Sequence, residues 1–288
     1  MNVIRPGICV ALLLSSAGIG TATPPSSARI GDIYELTDTK DMSSEGPDGA
    51  SGSSHDQDTL IERVEAIRPD GFEVVFDLPR GATADERQQN WQFPARVLEP
   101  INGPSTLLNA PQLAQRLDGW LKLANISRQA CGHWIFTWNA FKIECEPDSV
   151  LKAIEAFDPK LPPLRKGELY VDARASHPAP LTMHRNGSTG STFTATLLLD
   201  PKAVQHESAQ ADAVVGEITR KPVTLDAALA QRSKETVSGT IEVTIDADAA
   251  GNMRRLTKVT KTRTKKSDGS VETRTVTETL GRRLVSSQ

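Results

Sequence analysis

Two cysteines fourteen positions apart, Cys131 and Cys145, constrain this chain more than any other feature. They bracket the segment ACGHWIFTWNAFKIEC, residues 130–145, which holds four of the thirteen aromatic residues. Joined across a β-hairpin, the cysteines set a register in which His133 faces Ile143, Trp134 faces Lys142, Ile135 faces Phe141 and Phe136 faces Ala140. Thr137, Trp138 and Asn139 are left as a three-residue loop whose Asn tolerates the left-handed conformation. The second strand alternates independently: Phe141, Ile143 and Cys145 lie on one face, Lys142 and Glu144 on the other. Register and alternation agree, so the spacing predicts a disulfide-closed ribbon with its apolar face inward. Closing a loop of about 15 residues stabilises the fold by roughly 3 kcal/mol in the chain-entropy model. The competing readings are two free thiols or a reactive cysteine beside His133. Two thiols are too few for a zinc site, and a catalytic thiol needs an electropositive pocket.

A disulfide implies an oxidising compartment, and the N-terminus points the same way. Arg5 precedes an apolar run from Ile8 to Leu14, and Gly20 with Ala22 forms a small-x-small cleavage site. This is the layout of a secretory signal peptide over residues 1–22. Cys9 lies inside the apolar run rather than at the cleavage point, so the expected mature chain is soluble and carries no lipid anchor. No later segment is apolar over the ~20 residues that cross a bilayer. The expected localisation is exported, periplasmic or secreted.

The other face of the ribbon carries Trp134, Phe136 and Lys142, with Trp138 in the loop. That is more aromatic surface than one hairpin hides alone, so it forms either a core under flanking helices or a ligand platform. Helices to cover it are present in the sequence. Asn109 precedes a predicted helix over 111–124 with Leu113, Leu117, Trp120, Leu121 and Ala124 on one side. Asp148 precedes another over 149–157 with Val150, Leu151, Ile154 and Phe157. The Lys142 ammonium is expected over the Trp134 ring. Packing into a core is favoured, and Trp134, Trp138 and Trp91 are the candidate ligand-contact aromatics.

Around this centre the pattern is that of antiparallel hairpins. Residues 30–37 read as a strand. The stretch DTKDMSSEGPDGASGSSHDQDT that follows is nearly devoid of apolar residues, so residues 23–59 read as one strand plus a flexible Ser/Gly/Asp-rich loop, with His55 a solvated loop residue. LIERVEAI and FEVVFDL flank Pro69-Asp70-Gly71 as a hairpin. Thr83 and Glu86 fit a capping box, and Trp91 to Leu98 is extended. FDPKLPPLRKG breaks regular structure, marking a subdomain break near 158–167 within a domain spanning 60–288. Strands follow at 168–173 and 192–199. Asp200-Pro201 starts a helix to about 217, and Thr224 starts one over 225–232. The tail from Val237 is a three-stranded meander whose last two strands alternate Thr with charge. The predicted fold class is α+β: an antiparallel, hairpin-built sheet covered on one side by helices and curling into a partial barrel.

The chain has a formal net charge of -3, yet residues 251–288 hold ten Lys or Arg against three acidic residues. That excess suits either an anionic partner or a solvated sheet whose lysines resist edge pairing. Export disfavours nucleic acid, so the solvated sheet is preferred.

Signatures of chemistry are missing. There is no G-x-S-x-G, and the GSTG at 187–190 lacks the spacing. There is no phosphate-binding loop, dinucleotide fingerprint or H-E-x-x-H, and His206-Glu207 has no second His at helical spacing. Asp246, Asp248 and Gly251 resemble a calcium loop only faintly, because Ala250 takes a ligand position and no Glu closes it. No catalytic residue, metal ligand or cofactor is assigned. Asn125 and Asn186 are sequons that matter only in a eukaryotic secretory pathway.

The segments NWQFPARV at 90–97 and CGHWIFTWNAFKIECEPDSVL at 131–151 resemble uncharacterised exported proteins of Gram-negative bacteria. The resemblance implies a periplasmic or secreted location and brings no activity with it. The expected function is therefore a non-catalytic envelope binding or scaffold protein. One alternative is a carrier of an apolar or amphiphilic ligand in a groove between sheet and helices. The other is a hydrolase in which His133, His177 or His184 meets a Ser or a carboxylate.

Overall fold

The computed structural model describes residues 28–136, 140–157, 161, 164–185 and 190–287. In chain order the elements are β1 (Ile33–Glu45), β2 (Ser51–Arg68), β3 (Gly71–Asp77), α1 (Ala84–Gln89), β4 (Ala95–Pro100), β5 (Thr106–Leu107) and α2 (Ala110–Leu123). Then follow β6 (Trp134–Phe136), β7 (Ala140–Lys142), α3 (Ser149–Phe157), β8 (Leu169–Tyr170), β9 (Ala179–Pro180), β10 (Thr182–Arg185) and β11 (Gly190–Leu198). The chain ends with α4 (Pro201–Ile218), α5 (Leu225–Arg232), β12 (Thr236–Asp248), β13 (Met253–Lys265) and β14 (Val271–Ser286). The proposed signal peptide, Trp138 and the GSTG loop apart from Gly190 lie outside the described residues.

Ten strands form one antiparallel sheet in the order β10-β11-β12-β13-β14-β1-β2-β3-β4-β5. Each half is a meander of sequential neighbours, and the β14–β1 ladder joins the two ends of the chain. The sheet is open, with β10 and β5 as edges, so the expected curl into a partial barrel does not appear. Both edge strands are short, which limits pairing with other chains.

The stretch expected to be a flexible loop is instead most of the β1–β2 hairpin. Its turn is confined to residues 46–50, and the ladder runs from Ile33↔Arg63 to Glu45↔Ser51. The apolar alternation that identifies a half-buried strand is missing because this end of the hairpin is wet. Between residues 33 and 68 nine acidic residues stand against three basic ones, and β14 pairs alongside from the basic tail. Lys40 reaches Glu278 at 3.7 Å, Arg283 reaches Glu35 at 2.7 Å and Arg282 reaches Glu62 at 2.6 Å. Two of these pairs join an arginine of β14 to a glutamate of the hairpin, and the third joins a lysine of the hairpin to a glutamate of β14.

Period-two alternation gives the sheet two unlike faces. One face carries a row of threonines across six strands, Thr182, Thr194, Thr244, Thr257, Thr279 and Thr39, each opposite the next. The other face bears two separate apolar cores. The first draws only on residues 28–157: Leu36, Leu60, Val64, Val74 and Phe76 lie under Leu113, Leu117 and Leu121 of α2 and Val150 and Ile154 of α3. The second draws on residues 161–280: Phe193, Leu197, Ile241, Val243, Ile245 and Leu256 pack with Tyr170, Leu181 and Val204. Helices α2 and α3 pack on the first core and α4 joins the second through Val204, so helices cover this face.

Local signals account for the caps. Thr83 and Glu86 make the reciprocal capping box of α1. Asp200 and Thr224 cap α4 and α5 through their side chains. Asn109 precedes α2 but leaves it uncapped: its side chain instead accepts from Arg96 N–H at 2.8 Å and donates to the Pro94 carbonyl at 3.1 Å. Buried Asn109 therefore ties the start of α2 to β4. The Cys131–Cys145 disulfide is present, and β6 pairs with β7 in the register set by the cysteines, Trp134↔Lys142, Ile135↔Phe141 and Phe136↔Ala140. Gly239 of β12 has no room for a side chain, because a Cβ there would sit 2.0 Å from the Lys261 carbonyl oxygen.

Candidate functional site

Between the two cores the covered face changes character. Even-numbered residues of β1 point to this face, and the ladders set what lies beside them. Leu36 is opposite Leu60, Asp38 is opposite Asp58 on one side and Leu280 on the other, and Lys40 is opposite Asp56 and Glu278. One strand further, Leu280 meets Leu256 and Glu278 meets Lys258. The result is a belt of charged groups across β13, β14, β1 and β2, edged by Met42, Val276, Leu256 and Leu280.

The belt is closed from above by the segment after β8. Asp172, only 8% exposed, receives Lys258 at 3.4 Å. Arg174 donates to Thr260 Oγ1 at 3.2 Å and lies 3.4 Å from Glu278. Glu278 is the hub: Lys258 Nζ is 2.9 Å away, with Arg174 and Lys40 alongside. Burial opposes its ionisation, but the Lys258 and Arg174 charges, the Lys258 hydrogen bond and Lys40 together hold its carboxyl below the usual range.

Asp38 and Asp58 sit in the same belt without a direct ion pair. Neither has a hydrogen-bond or ion-pair partner among the described residues. Like charges directly opposite on neighbouring strands repel. Burial pushes the Asp38 carboxyl up to about 6, reinforced by Glu278 and Asp58 and resisted by Lys40 and Lys258. Burial also raises Asp58, with Asp56 adding to it. At the first core's edge, the Arg282 guanidinium stacks 4.3 Å from the Tyr34 ring centre and bonds Glu62.

A second feature bridges the covers. Helix α4, ~27 Å long at 1.5 Å per residue, starts at the end of β11 and reaches the disulfide-bound ribbon at its C-terminal end. There Glu217 Oε1 accepts from the Trp134 N–H at 3.1 Å and lies 3.2 Å from His133 Nδ1. The ribbon belongs to the cover of the first core and α4 to that of the second.

The candidate aromatics separate. Trp91 is 3% exposed within the first core, Trp134 is half-buried beside Glu217, and Trp138 lies outside the described residues. Lys142 pairs with Glu144 at 3.5 Å. His133 does meet a carboxylate, in an exposed pair, while His177 and His184 are exposed. His55 lies on the threonine face and is 2.6 Å from Asp41, its opposite residue on β1. Among the described residues no cluster of His, Cys, Asp and Glu suits a metal, and no helix is long and apolar enough to cross a membrane. The belt was invisible residue by residue, because its members read as surface charges. A usable signal was the matching period-two Thr pattern of residues 37–39 and 273–279.

No family model matches the chain, and no curated protein matches its sequence. Among solved structures it is similar to one described as lipid-protein interactions in lipovitellin, at 8% identity and a TM-score of 0.39. The similarity covers 91% of this chain and 26% of that one, so this chain spans about a quarter of the other's length. A likeness at this score decides neither fold nor function.

Proposed function

We propose that this is an exported, non-catalytic binding protein, periplasmic or secreted, whose ligand is amphiphilic and binds on the covered face of the sheet. The observation that carries the reading is the belt itself: a strip of charge flanked by two apolar cores on one face. A chain selected only for stability gains little from charges buried this way, since desolvation offsets most of their attraction. A polar headgroup replaces the intramolecular partners of Lys258 or Arg174 or supplies one to Asp38, and its hydrocarbon lies along Met42, Val276, Leu256 and Leu280. The disulfide supports export, because such bonds persist outside a reducing cytosol. The resemblance to exported bacterial proteins supports the compartment as well.

The test is native mass spectrometry of the oxidised chain, prepared without detergent, with lysophosphatidylcholine and dodecyltrimethylammonium added at micromolar concentrations. A one-to-one adduct with either supports the reading. An adduct-free spectrum with both refutes it.

A further inference from the structure

The threonine face of the sheet is bare where the covered face is packed. In β12, β13, β14, β1 and β2 every fully buried residue points to the covered side. The residues of the open side on these strands are all exposed or half-buried. Threonine methyls and Val259 give this side apolar surface between its hydroxyls and charges.

The charge on it is sorted by strand. On β14, Thr273, Thr275, Thr277 and Thr279 form an uncharged strip. Beside them on β13 stand Arg255, Lys261, Arg263 and Lys265, and no acidic residue of that strand faces the same way. On the other flank β1 presents Glu35, Asp41 and Glu45 and no basic residue. Arg255, Arg263, Lys265 and Glu45 form no ion pair among the described residues. Lys261 lies 2.9 Å from Glu242 and Asp41 lies 2.6 Å from His55, both in exposed pairs that contribute little and exchange readily.

A basic strip and an acidic strip on either side of a neutral one make the face complementary to itself. Two copies stacked face to face are related by a two-fold axis lying between their sheets. With the axis along β14, β13 of each copy lies over β1 of the other, and both contacts join opposite charges. With the axis across the strands, β13 lies over β13 and β1 over β1, and both contacts repel. Charge therefore selects one arrangement, in which the same patch serves both copies. Aligned sheets pack about 10 Å apart with strands crossing at about 30°, a gap and an angle that Arg, Lys and Glu side chains span. Five strands spaced by about 4.8 Å, over about 34 Å of their length, give a footprint of roughly 800 Å² per copy, which is what a specific complex buries on each partner.

We propose that the threonine face is a homodimer interface, on which a second copy of this chain lies face to face across a two-fold axis running along β14. The covered faces then point outward, so the interface is independent of the ligand reading above.

The experiment is sedimentation velocity of the oxidised chain from low micromolar to a few hundred micromolar, at low and high salt. Four forms are compared: the native protein, Lys261→Glu with Arg263→Glu, Asp41→Lys with Glu45→Lys, and all four substitutions together. The four positions are exposed, and a circular dichroism melt checks that each form is folded. The native chain is expected to dimerise, more weakly at high salt. Either pair of substitutions sets like charges over each other twice and is expected to raise the dimer Kd on the order of tenfold or more. The combined form exchanges the two strips and is expected to recover the native Kd. A native chain that stays monomeric at the highest concentration overturns the proposal. So does a dimer that neither pair weakens, since it uses another surface, and so does a combined form no tighter than the pairs, since the strips then do not face each other.

Discussion

Asp38 and Asp58 face each other across β1 and β2, neither in an ion pair among the described residues, so their protons are coupled to the stability of the fold. The folded protein favours protonated Asp38, whose pKa is about 6 against an ordinary 3.8. Its contribution is full below the ordinary pKa and is lost as pH rises through about 6. Two units correspond to roughly 3 kcal/mol at most. Asp38→Asn is therefore expected to stabilise the protein by about 1–3 kcal/mol at pH 8, with the gain shrinking toward zero at pH 4, measured by urea unfolding. A gain independent of pH contradicts this. Glu278 has the opposite sign: its depressed pKa gives stability present above the ordinary value and lost as pH falls through the folded one. Glu278→Gln leaves half-buried Lys258, Arg174 and Lys40 without their shared carboxylate, which is expected to cost about 1–3 kcal/mol. Thermal melts at pH 7 check this, and a shift of under two degrees opposes it. None of these groups announced itself in the sequence, because a lone strand does not show which face of a sheet a charge occupies. That depends on β14 lying beside β1, a pairing across more than 200 residues.

At the scale of elements, the ribbon was legible because two independent constraints, cysteine spacing and alternation, agreed on one register. Helices α3, α4 and α5 were legible from their apolar spacing and their caps or leading residues. Reduction of Cys131–Cys145, or Cys131→Ser with Cys145→Ser, is expected to cost about 3 kcal/mol, measured by guanidinium unfolding with and without reductant. Asn109 was legible as a helix-start residue but not in its role. Asn109→Ala abandons the Arg96 N–H and the Pro94 carbonyl, and is expected to cost about 1–3 kcal/mol by the same measurement. A cost of a few tenths indicates that water replaces the amide. The β1–β2 hairpin escaped detection because apolar alternation marks a strand that buries one face. This one gains its order from the ladder hydrogen bonds it makes with β14 on one side and within itself on the other.

For the whole molecule, the arrangement follows from two meanders sharing one sheet. Each carries its own helices and its own core, and the strands that join them carry the charge. Helical cover over one antiparallel face was readable from the order of predicted elements. The division into two cores was not, since it depends on where the two ends of the chain meet. The separation also explains why the belt is available: residues between two cores are not required by either. The most direct measurement is photo-crosslinking of the oxidised chain with a lysophospholipid bearing a diazirine in its acyl chain, followed by peptide mapping. The account predicts adducts on the peptides that carry Met42, Leu256, Val276 and Leu280. Adducts spread over the threonine face, or confined to the 131–145 ribbon, would contradict it.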